Sequence, residues 1–128
     1  MPPYIFACGQ ADNSLTIIDA VNPLAPALVG NVHGAGAPNW LGGARYVKAY
    51  GNYAYVCAQT GDLSLTIVDI SDLANPVTVG HVGGAGAPNF MDTLNGLFIG
   101  NGTFNGYAYV AVAAALIQCY CEFFDATR

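Results

Sequence analysis

A chain of 128 residues with three Lys and Arg against eight Asp and Glu, and a net charge of -5, offers no basic footprint to a phosphate backbone or an anionic lipid surface. Charged residues make up 9% and apolar residues 54%, whereas an ordinary soluble domain is roughly 25% charged. The longest apolar run, Tyr107–Ile117, is eleven residues, well short of the roughly 20 that a membrane-spanning helix needs, so nucleic-acid binding and a helical span are excluded and a single domain is expected.

The opening MPPYIFACGQAD lacks a basic segment followed by a long apolar one and is not expected to be a secretory leader. Three strand-length segments follow, each rich in β-branched or aromatic residues and separated by turn chemistry: Tyr4–Gln10, Ser14–Ala20 and Pro26–Val32. After the joint GAGAPN at residues 34–39 come four more, Ala44–Tyr50, Tyr53–Gln59, Ser64–Ile70 and Pro76–Val82. Gly51-Asn52 between the first two is a hairpin signal, because both residues tolerate positive φ. GAGAPN then recurs at residues 84–89, followed by Asn95–Asn101 and Tyr107–Ala113. The alanine run makes a helix over Ala111–Phe124 conceivable on propensity, but CEFFDAT at 121–127 aligns with LTIVDIS at 65–71, which favours another strand.

These segments repeat. Ser14–Trp40 and Ser64–Phe90 agree at 15 of 27 positions, a period of 64 - 14 = 50 residues. A period of that size points to solenoids, propellers or arrays. Four antiparallel strands per unit divide the single repeat domain, residues 1–128, into blade 1 (about 4–32, without its first strand), blade 2 (about 44–82) and blade 3 (about 95–128, without its last). Strands buried on both faces read as apolar runs, which accounts for YAYVCA and for the low charge.

The segments LTIVDISDLANPVTVG and GNYAYVCAQ, with LTIIDAVNPLAPALVG and NGYAYVAVA, resemble LVIVD repeats. The resemblance implies an all-β, β-propeller-type architecture and an often extracellular protein, with no common reaction to carry over. The unit is longer than that family's, the added length lying at the GAGAPN joint. Propellers have roughly 4 to 8 blades, so two and a half to three leave an incomplete propeller. It is completed or extended by self-association into a closed homo-oligomer or a filament, or the chain is a fragment of a larger surface propeller protein.

No catalytic apparatus is legible: no G-x-S-x-G, no H-E-x-x-H, and a joint without the lysine of a phosphate loop. Asp19, Asp69 and Asp125 recur at the end of the third strand, where a carboxylate accepts N–H groups of the following turn. His33 and His81 lie near the joint without being repeat-mates and without a third ligand, so neither a metal nor any other cofactor is expected. Cys8 and Cys57 occupy one position in two repeats, too far apart to bridge, and read as buried free thiols. Cys119 and Cys121 have no zinc spacing. Asn101 begins the glycosylation sequon Asn101-Gly102-Thr103. Asn39 with Trp40 and Asn89 with Phe90 are the ligand-binding candidates: an aromatic face beside an amide suits a sugar ring, although either ring serves equally to fill the wedge between blades.

The expectation is a non-enzymatic, self-assembling scaffold outside the cell or on its surface, whose partner is itself. A carbohydrate- or peptide-binding module stands second.

Overall fold

The computed structural model describes residues 3–92, 94–100 and 107–112. Among them the chain is all β, with nine strands in three antiparallel sheets and no helix. The first sheet holds β1 (Tyr4–Gly9), β2 (Ser14–Asp19) and β3 (Ala27–His33). The second holds β4 (Ala44–Tyr50), β5 (Tyr53–Ala58), β6 (Ser64–Asp69) and β7 (Val77–Gly83), and the third β8 (Leu94–Ile99) and β9 (Ala108–Val112). Within each sheet the strands pair in chain order.

The repeat is copied down to its irregularities. Opposite β2, the register slips between Ile17 and Ile18 so that Val29 is the extra residue of β3; opposite β6 the same slip between Ile67 and Val68 makes Val79 extra in β7. The first strands share another, with Arg45 bulged in β4 and Asn95 in β8. A bulge adds twist and re-aims side chains, so its recurrence gives successive sheets one curvature. The turn from β4 to β5 has two central residues, as expected, but only Gly51 takes positive φ, at 60°. Glycine alone at the first central position is the II′ solution, whose twist matches the strands it joins.

Alternation along the strands sorts side chains to the two faces of a sheet. Toward blade 1, blade 2 turns Ala44, Ala54, Val56, Val68 and Ile70, which close a core with Leu15, Ile17 and Val32. Tyr4, Phe6 and Cys8 of β1 flank it. The opposite face of blade 2 turns Cys57 and Leu65 toward Leu94, with Tyr55, Leu97 and Val110 around them. Blade 2 is therefore buried on both faces, and each fully buried Val or Leu contributes about 1.5–3 kcal/mol.

Among the described residues no helix is long and apolar enough to cross a membrane. Of the run left between helix and strand, Ala111 and Val112 are strand; the remainder lies outside the described residues, as do Asn101, Cys119, Cys121 and Asp125.

Candidate functional site

The joint between blades 1 and 2, residues 34–43, is the most elaborated part of the structure. It folds back on itself through Trp40 N–H to Gly36 O at 2.8 Å and Leu41 N–H to Gly34 O at 2.9 Å. Gly34 and Gly36 sit at φ 133° and 68°, where a side chain is strained, and Trp40 itself takes φ 53°. The Asn39 amide donates to His33 O at 2.7 Å and closes the loop.

Both neighbouring blades grip this loop. Asp62, in the β5–β6 turn of blade 2, accepts the Gly36 N–H on both carboxylate oxygens at 3.0 Å and the Gly42 N–H at 2.7 Å. Charge-assisted bonds of this kind are roughly twice as strong as neutral ones. From blade 1, Asn13 accepts Gly43 N–H through its side chain at 2.9 Å and Gly34 N–H through its carbonyl at 2.9 Å. The Trp40 carbonyl reaches the buried interior of blade 2, where Thr66 donates to it at 2.6 Å and Ser64 at 3.3 Å. These bonds are why two hydroxyl side chains can be fully buried in an apolar sheet.

The candidate ligand residues part company here. The Trp40 ring stacks on His81 of β7, centroids 4.1 Å apart and planes 14° off parallel. Asn39 is spent on the loop's own closure and its carbonyl accepts from Thr78 at 3.3 Å. Both residues of this pair thus contact β7 of the neighbouring sheet. In the second joint, Asn89 repeats the closure, donating to Gly83 O at 2.8 Å, but Phe90 is 63% exposed. Of the two aromatic rings, only that of Phe90 is left largely open to solvent.

Asp19 and Asp69 accept the N–H two residues on, from Val21 and Ser71, each at 2.8 Å. The Ser71 backbone and then its hydroxyl hold the Asp69 carboxyl below the usual carboxylate range. His33 stays exposed at the end of β3 while His81 carries Trp40. Among the described residues no three His, Cys, Asp or Glu converge as a metal site. Cys8 and Cys57 are free thiols in successive inter-blade cores. Burial pushes Cys8 up to about 11, and burial together with the nearby Cys8 pushes Cys57 up to about 12, so neither is a nucleophile near neutrality.

Sequence reading missed Asp62 and Asn13, the residues that fasten the joint. Asp62 had a signal in Asp12, its mate fifty residues earlier, but T-G-D-L reads as turn chemistry without a stated partner. It also missed a polar chain across the second junction, in which the bulged Arg45 donates to Gln59 and Gln59 donates to the bulged Asn95 at 2.9 Å. A cleft of about 260 Å³ opens between blades 1 and 2 beside Tyr4, Phe6 and Tyr50.

The comparisons agree with this geometry. A family model described as LVIVD repeat matches residues 6–33 and 41–83, more than half of the 128 residues and all of the seven strands on either side of this loop but the first two residues of β1. No curated protein and no solved structure matches the chain.

Proposed function

The chain belongs to the LVIVD-repeat family, and from that premise we propose that it is a non-enzymatic scaffold of propeller type that works by self-association. The observation that carries this reading is the contrast between one face and its copy. Ala54, Val56 and Val68 of blade 2 are fully buried against blade 1. Their mates Ile5, Ala7 and Ile18 form the outward face of blade 1, where Ile5 is 50% exposed and Leu28, across Ile18 from it, 65%. An apolar sheet face that is partly exposed, next to a β1 edge with no paired strand among the described residues, is a surface for another chain.

The assembly is a closed oligomer or a filament, placed outside the cell or at its surface, or the blades continue in a longer surface protein. Electron microscopy and light scattering of the purified protein distinguish these: rings or fibres support the reading, and a monodisperse monomer at all concentrations overturns it.

A second reading, carbohydrate binding at the Asn-aromatic joint, is favoured by the open ring of Phe90 alone. Glycan-array binding that is lost in Phe90→Ala with assembly intact supports it; an array without signal removes it.

A further inference from the structure

The edge of β1 away from β2 has no paired strand among the described residues, and its copy in blade 2 shows what such an edge takes. Ala20 N–H donates to Pro3 O at 3.0 Å, as Ile70 N–H does to Asn52 O at 2.8 Å. In an antiparallel ladder, residues that bond the partner strand alternate with residues that face away from it. β1 therefore turns the backbone N–H and C=O groups of Tyr4, Phe6 and Cys8 to its bare side. Their repeat-mates in β5 are Tyr53, Tyr55 and Cys57, which stand opposite Tyr50, Lys48 and Tyr46 of β4.

The cleft of about 260 Å³ adjoins the same strand. Tyr4 and Phe6 line it together with Ala49, Tyr50, Ile70 and Leu73, and no charged side chain borders it. Tyr4 and Phe6 also rest against the core between the blades, while Tyr50 is 38% exposed. Directly opposite residues of an antiparallel pair project to one face of the sheet. A strand laid on the bare side of β1, in the register that β4 keeps on β5, sends the side chains opposite Tyr4 and Phe6 toward the cleft. The one opposite Ile5 points the other way. Edge and cleft thus select one kind of ligand, with alternate backbone amides for the edge and alternate uncharged side chains for the cleft.

We propose that the bare edge of β1 and the cleft beside it form a binding site for an extended peptide. The peptide adds antiparallel to β1 as a first strand, with an aromatic or aliphatic side chain at alternate positions over the cleft. Main-chain bonds to Tyr4, Phe6 and Cys8 supply affinity, and the fit of those side chains among Tyr4, Phe6 and Tyr50 supplies selection. A sugar ring or a small apolar molecule uses the cleft alone and leaves the amides of the edge without partners, so a peptide accounts for both features. In a second copy β4 and β8 are already paired within their own sheets, and neither is the donor while that copy keeps its fold. The site therefore goes beyond self-association: it names the element that this edge accepts, and it exists in a monomeric chain.

The test is fluorescence anisotropy of a labelled peptide, ARYVKAY, the sequence of β4. The full chain is titrated in below the concentration at which sedimentation shows it to associate. N-methylation of the peptide residue copied from Lys48 removes an N–H that faces β1 and weakens binding about tenfold. N-methylation of the residue copied from Val47 removes one that faces away and changes binding less than about twofold. In the protein, Tyr50→Ala takes an exposed ring from the cleft and weakens binding about tenfold, with the far-UV circular dichroism unchanged. No binding of the peptide, or equal losses at the two N-methyl positions, overturns the site. Binding that ignores N-methylation but is lost in Tyr50→Ala overturns strand addition and leaves an apolar pocket. A chain that is monomeric at every concentration and binds the peptide supports the site and overturns self-association alone; a chain that associates and binds no peptide does the reverse.

Discussion

The joints 34–43 and 84–92 carry the same GAGAPN, yet among the described residues the first is held by more partners than the second. In the first, Asp62 and Asn13 hold four glycine amides and the aromatic ring is stacked. In the second the loop closes through the same internal bonds, Phe90 N–H to Gly86 O at 2.9 Å and Met91 N–H to Gly84 O at 2.8 Å. Among the described residues no carboxylate accepts the Gly86 N–H, and its ring is exposed. Even the backbone differs: Gly36 lies at φ 68° and Gly86 outside the left-handed region. The loop's shape is therefore local, but its final conformation and its contribution to stability come from the blade that receives it.

Substitutions made in pairs, one in each joint, sharpen that contrast. The largest difference is expected for Gly30→Ala against Gly80→Ala. The first drives a Cβ into the Leu73–Ala74 backbone and destabilises by about 3 kcal/mol through overpacking, whereas the second stays within about 0.5 kcal/mol; urea unfolding measures both. Asp62→Ala strands the Gly36 and Gly42 amides and costs about 2 to 3 kcal/mol, with Asp12→Ala near zero in the monomer. Equal losses for Asp62 and Asp12 would erase the distinction between the joints.

Trp40→Ala removes the stack on His81 and a half-buried ring, for about 2 kcal/mol, against less than about 1 kcal/mol for Phe90→Ala. The smallest effect is the acid sensitivity of the third-strand turns. The folded pKa of Asp69 is depressed, so its contribution is present above the unfolded carboxylate pKa and lost as pH falls through the folded one. In Asp69→Asn this portion of the acid-induced loss disappears, which thermal melts between neutral and strongly acidic pH measure.

Strand identity was legible because it follows from composition and period: β4 matches the segment Ala44–Tyr50 end to end, and the other eight depart from their sequence-read segments by one residue or so at an end. The Asp turns were legible for the same local reason, since a carboxylate and the N–H two residues on need no third party. The fastening of the joint was not. Asp62 is 26 residues from Gly36 and His81 is on the far strand of the neighbouring blade, and nothing in T-G-D-L or V-G-H-V names the group each meets.

By itself the sequence determined the repeat, the strand boundaries and the family, because side-chain alternation, turn residues and a copied motif are properties of neighbouring positions. Only the tertiary structure decided, among the described residues, that Asp62 is a latch while Asp12 accepts no hydrogen bond, that Trp40 is stacked while Phe90 is exposed, and that Gly30 is crowded while Gly80 is not. The residues in each pair are identical or alike in kind. What separates them is which groups, distant in sequence, the fold brings against each, and local sequence does not name those groups.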